Sequence, residues 1–164
     1  MDELIRQIRA ATTAGLHYLA LFGALVLPDI CGALASDNGT ASGPKYKDWL
    51  RANVPGQAAD ADLVWGLRCS LLHQGRAMPH GSMFSMAFTF PNSLAPELHN
   101  LSTVVDGQQV AWTSVPALVN EITIGAEKWL EQYGSTARVQ NNLEKFARYR
   151  PEGIPTHYGG PVIA

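Results

Sequence analysis

Apolar residues recur at spacings of three and four from the start of the chain. Leu4, Ile8, Ala11, Gly15, Leu19, Phe22 and Val26 fall on one helical face, which is the period of an amphipathic α-helix. The spacing predicts one long helix from Asp2 to about Leu27, with Gly15 and Gly23 placed where a neighbouring helix can approach closely. Pro28 suits the first turn of a second helix, to about Ala35. The polar, glycine-rich stretch Ser36 to Gly43 reads as an exposed loop. Pro44 opens a third helix, Lys45 to about Ala52, in which Tyr46, Trp49 and Leu50 share a face, and Val54-Pro55-Gly56 breaks it. Asp60 or Asp62 can cap a fourth helix through Leu63, Leu67, Leu71 and Leu72 to His73. Gly75 suits the left-handed position just past its C-terminus.

Beyond Gly75 the period shortens. Met83 to Phe90 is aromatic and loosely alternating, as a strand is. Pro91 and Pro96 bracket a loop, and Leu98 to Val105 and Gln108 to Thr113 flank Asp106-Gly107. That dipeptide predicts a two-residue hairpin turn with positive φ at both central residues. Ser114 caps a fifth helix with Pro116 in its first turn, Leu118, Ile122, Ala126, Trp129 and Leu130 along one side, and Gly134 at its end. A sixth helix is expected over Thr136 to Tyr149, with Val139, Leu143 and Phe146 inward and Arg138, Lys145, Arg148 and Arg150 outward. The tail from Pro151 reads as extended over the surface. The pattern predicts a mainly α protein: one helical domain over residues 1–150, a small antiparallel β-hairpin or sheet inserted at 83–113, and a tail at 151–164. Neither an internal repeat nor a low-complexity tract is present.

At 164 residues, 46% of them apolar, the chain can bury a core without disulfides. Cys31 and Cys69 are expected as reduced thiols in helices. The net charge of −2 means that any nucleic-acid site must be a local positive cleft. The apolar run Ala14 to Ala35 imitates a signal peptide or a membrane span. Asp2 and Glu3 before it, and His17, Pro28 and Asp29 within it, argue instead for a buried helix and a cytoplasmic protein.

Cations appear in one apolar setting. Arg68 and His73 stand five residues apart at the end of the fourth helix. Cleaving RNA without a metal needs a base for the 2′-hydroxyl, an acid for the leaving oxygen and a cation for the transition-state phosphate. Histidine suits the first two roles near neutral pH, and the planar fork of arginine suits the third. Five residues on an ideal helix turn through about 500°, leaving the two side chains about 140° apart. They share a site if the long arginine reaches round, or if two copies of the motif meet across a dimer axis. Both are expected to face a solvated cleft. On the bland alternative they bind the last helix carbonyls and complement the dipole.

The surrounding stretch, Leu67-Arg68-Cys69-Ser70-Leu71-Leu72-His73-Gln74-Gly75, resembles the Arg-x4-His signature of the HEPN superfamily, small helical proteins many of which are metal-independent ribonucleases. The resemblance implies a HEPN-like helical bundle, a homodimer with two Arg–His pairs facing one cleft, and an endoribonuclease of the toxin or defence type acting on RNA. It implies Arg68 and His73 as the catalytic pair and, as a partner, a neutralising nucleotidyltransferase or antitoxin. Catalytic members of the family usually carry Asn, Asp or His directly after the Arg. Here Cys69 stands there, a weaker hydrogen-bond partner, and Ser70 is the substitute for its orienting role. Arg76 and His80 follow closely and extend the expected substrate-binding set of Ser70, Arg76 and His80. His17, His73, His80 and His99 lack the close spacing of a zinc site, so neither metal nor cofactor is expected. The rival readings are a non-catalytic HEPN-like module binding RNA, a nucleotide or a protein, and a helical protein whose sheet and first helix serve only oligomerisation.

Overall fold

Gly15 ends the first helix. The computed structural model describes residues 1–78, 85–92 and 94–164. In it α1 (Asp2–Thr13) and α2 (His17–Leu34) are separate helices, not one helix to Leu27. Gly15 takes φ +71°, a left-handed conformation that costs glycine little. Its N–H bonds Thr12 O at 3.1 Å and that of Leu16 bonds Ala11 O at 2.9 Å, which satisfies the last carbonyls of α1. Pro28 opens no new helix; it lies inside α2.

Helix α2 is the centre of the fold. It packs against α5, α1, α3, α4 and α6, with Ala20, Ala24, Leu25, Leu27 and Cys31 wholly enclosed. Among the described residues it is the helix long and apolar enough to cross a membrane, and more than half of it is buried inside the protein. Helix α3 (Gly43–Asn53) is capped by the Ser42 hydroxyl, which accepts from the Lys45 N–H. It comes close to α2 at Gly32, where a Cβ would sit 3.2 Å from Lys45 O. A single 3₁₀ turn (Pro55–Gln57) leads to α4 (Ala61–Gln74), the motif helix. Helix α5 (Val115–Tyr133) begins as expected, with Ser114 Oγ accepting from Ala117 N at 3.1 Å and Pro116 in the first turn.

The sheet holds β1 (Ser85–Thr89), β2 (Leu101–Val105) and β3 (Gln108–Ser114) in the order β1-β3-β2. Strands β2 and β3 form the expected hairpin, with φ +50° at Asp106 and +79° at Gly107. Strand β1, however, pairs parallel to β3, so the sheet is mixed rather than antiparallel. The chain crosses over from β1 to the far side of β3 before turning back. Met83 and Phe84, expected at the start of this strand, lie outside the described residues. The sheet is not a detached insertion: Met86 is in the core, and Phe88 and Ala111 pack against it.

Helix α6 (Ala137–Leu143) stops well short of Tyr149. After it, β4 (Tyr149–Arg150) pairs antiparallel with β5 (Val162–Ile163), and Arg148 and Ala164 exchange both backbone hydrogen bonds. The tail stays largely exposed, as expected, but folds back so that its end pairs with the residues just before it. Its pairing needs extended backbone at Tyr149, which a longer α6 would deny.

Candidate functional site

The C-terminus of α4 is built by backbone. Gly75 takes φ +66°, its N–H bonds Leu71 O at 3.0 Å, and the Arg76 N–H bonds Ser70 O at 3.2 Å. This left-handed cap satisfies the carbonyls that a helix-end arginine or histidine would otherwise serve. The two motif side chains do something else.

Arg68 reaches round the helix. Its Nη1 lies 3.1 Å from His73 Nε2, so a single chain brings the pair together without a second copy. Its Nε donates to Asp29 Oδ2 at 2.7 Å, across to α2, and its guanidinium carbon sits 5.4 Å from the centre of the Trp65 ring. A guanidinium only donates, so His73 Nε2 is the acceptor and the neutral imidazole carries its proton on Nδ1. His73 is exposed, but the Arg68 side chain is only 20% exposed and that of Asp29 only 9%. The cleft is thus solvated at the histidine and enclosed at the arginine.

Asp29 is the member that sequence reasoning missed, noted only as a break in an apolar run. A signal was there. No Asp, Glu, Lys or Arg stands between Arg9 and Asp29, and a carboxylate placed in such a helix needs a cationic partner. Burial pushes the Asp29 carboxyl above its ordinary range, and the charge and hydrogen bond of Arg68 oppose that push without cancelling it. A raised folded-state pKa means that the native protein binds the proton more tightly than the unfolded chain. The associated loss of stability is absent below the ordinary value of 3.8, grows as pH rises from there to the folded value, and is constant above it. The protein is therefore expected to lose stability relative to an Asp29→Asn variant as pH rises through this window. Urea midpoints of both proteins from about pH 3 to pH 7 check it; a difference that is flat, or that moves the other way, would show that the pair's attraction dominates.

The remaining residues divide. Ser70, expected to bind substrate, is buried, 5% exposed, and so does not lie on a surface open to a substrate. Arg76 is exposed just past the cap. His80 lies outside the described residues. Cys69 and Cys31 are both free thiols; Cys69 is half-buried beside Arg68, and burial raises the Cys31 thiol to about 12. His99 sits elsewhere, 3.2 Å from Glu121, and His17 stacks on Phe90. Among the described residues no three His, Cys, Asp or Glu side chains are grouped as a metal would need. Of the basic residues near the last helix, Arg138 pairs with Asp37 at 2.9 Å. The arrangement at the end of α4 can bind an anion through the free guanidinium hydrogens and exchange a proton at an exposed imidazole. No family model, curated protein or solved structure matches the chain.

Proposed function

We propose that the chain is a HEPN-like, metal-independent endoribonuclease of the toxin or defence type. The observation that carries this reading is the 3.1 Å approach of Arg68 to His73, with Arg68 anchored on the buried Asp29. The resemblance of residues 67–75 to the Arg-x4-His signature supports it. In this mechanism Arg68 binds the scissile phosphate, and neutral His73 accepts the 2′-hydroxyl proton at Nε2. The 2′-oxygen bonds to phosphorus, the bond to the 5′-oxygen breaks, and the imidazolium returns a proton to that oxygen. The products are a 2′,3′-cyclic phosphate and a 5′-hydroxyl. Arginine supplies the positive charge, so the step needs no metal.

The reading includes a cytoplasmic homodimer and a neutralising nucleotidyltransferase or antitoxin partner. Purified protein incubated with mixed RNAs in excess EDTA is expected to cut them and leave cyclic phosphate ends. A preparation that leaves RNA intact under these conditions and in added divalent cations would refute the proposal. Cys69 after the arginine and the net charge of −2 favour a second reading, a HEPN-like module that binds RNA, a nucleotide or a protein without cutting. Retention of labelled RNA without cleavage would select it.

A further inference from the structure

A small cavity shares Asp29 with the Arg68–His73 site. Its volume is 210 Å³, and it is lined by Asp29 from α2, by Gly39 and Ala41 from the following loop, and by Asn142, Lys145 and Phe146 at the end of α6. Two of these residues carry buried acceptors that lack donors. Asn142 is 8% exposed, and its Nδ2 donates to Leu34 O at 3.0 Å and to Ser36 O at 2.8 Å. Those bonds fix the amide, and among the described residues its Oδ1 accepts no hydrogen bond. Gly39 keeps that oxygen open, because a Cβ there would stand 2.7 Å from it. Asp29 is 7% exposed, and among the described residues its side chain accepts from Arg68 at Oδ2, with nothing on Oδ1. A buried acceptor left unmet is costly, so this cavity favours a ligand that brings donors.

The other lining residues narrow the class of ligand. Phe146 offers an aromatic face on which a planar ring can stack. Lys145 is exposed and adds a positive charge, which attracts a phosphate and repels the ammonium or guanidinium of a protein side chain. The volume is smaller than that of pockets enclosing drug-sized ligands, so it suits one ring system rather than a whole nucleotide. Among the RNA bases, guanine presents two adjacent donors, N1–H and the N2 amine. Adenine and cytosine set an acceptor beside their amino group, and uracil has a single donor between two carbonyls. We propose that this cavity is a guanine subsite of the RNA cleft, with Asn142 and Asp29 as the acceptors that determine specificity. Phe146 stacks on the base, and Lys145 meets a phosphate of the same strand. The guanine flanks the phosphate bound at Arg68, since Asp29 belongs to both sites. The strand rests on the function proposed above; recognition of the base does not, because a free guanine nucleotide meets the same groups.

The test maps the ends left by the full chain on RNAs that differ in one base beside the cleaved bond. Bonds with guanine on one fixed side are expected to be cut about 10–100-fold faster than those with adenine there, the size of a two-donor base contact. Ala41 is exposed, so Ala41→Trp fills the cavity from its rim. It is expected to bring cleavage at guanine down to the rate at adenine, at an unchanged melting temperature. Should Ala41→Trp fail to fold, Phe146→Leu keeps the apolar bulk but loses the ring, and it is expected to lower cleavage at guanine by about 10–100-fold. Equal cleavage beside all four bases overturns the subsite and leaves the ribonuclease standing. A guanine preference that survives in a folded Ala41→Trp or Phe146→Leu protein also overturns it. If the intact chain cuts no RNA, the ribonuclease falls, and calorimetry with guanosine and adenosine 5′-monophosphates decides the subsite alone. Guanosine monophosphate binding about 10–100-fold tighter, and lost on Ala41→Trp or on Phe146→Leu, supports the proposal; equal binding of the two, or none, overturns it.

Discussion

Replacing His73 by alanine is expected to lower RNA cleavage by about 10²–10⁴-fold, the usual size of an acid–base contribution, while leaving the fold intact. His73 is exposed on the last turn of α4, and its side-chain hydrogen bond is to Arg68. Its loss frees one Arg68 Nη1 hydrogen on the solvated side of the cleft, where water can accept it, so stability should change by no more than about 0.5 kcal/mol. Arg68 is different. Arg68→Lys keeps the charge but loses the fork, so it cannot hold Asp29 through one nitrogen and reach His73 through another in the observed geometry. It is expected to lose both activity and stability. Single-turnover cleavage rates beside urea unfolding of each variant separate the two effects. If His73→Ala unfolds the protein and the intact chain cuts no RNA, the Arg–His pair is structural, and the binding-module reading takes over.

What the sequence made legible were features decided within a few residues. The Gly75 cap, the Asp106-Gly107 turn and the Ser114 N-cap all stand where local chemistry places them, because each is fixed by a φ preference or one short hydrogen bond. The break between α1 and α2 was misplaced for a related reason. Apolar periodicity runs straight through Gly15, and periodicity does not register a left-handed residue that turns the chain while the apolar face continues. Pro28 looked like the natural boundary, yet α2 passes through it, because packing on five other helices holds the helix together where one backbone hydrogen bond is lost. The parallel partner of β1 and the early end of α6 were out of reach. Each is set by a strand distant in sequence, β3 for the first and β5 for the second. The same holds at the site. Arg68 and His73 were legible as a spaced pair, but the anchor of the pair lies on another helix, thirty-nine positions away at Asp29.

The second large effect is expected one residue before the arginine. Leu67 is fully enclosed, and with Val64 and Leu71 it lines the side of α4 that faces the core. Arg68, at the next position and about 100° further round the helix, projects toward Asp29 and the cleft, so neighbouring residues serve different parts of the helix surface. Leu67→Ala removes a buried side chain from packed surroundings and is expected to cost about 2–5 kcal/mol, lost apolar burial together with the cavity left behind. In a chain of this length that corresponds to a melting temperature lower by about 4–20 °C. The urea midpoint should fall at unchanged slope, since the surface exposed on unfolding hardly changes. Cleavage by Leu67→Ala, measured well below its melting temperature, should stay close to wild type, because no group touching the phosphate has moved. His73→Ala should show the converse, full stability without cleavage. This crossed pattern separates a helix with one structural face and one chemical face from a helix whose cations only finish its end. A Leu67→Ala protein that stays folded in the cold yet loses activity as fully as His73→Ala would show that the site depends on core packing rather than on the Asp29–Arg68–His73 contacts, and the proposed division of α4 would fall.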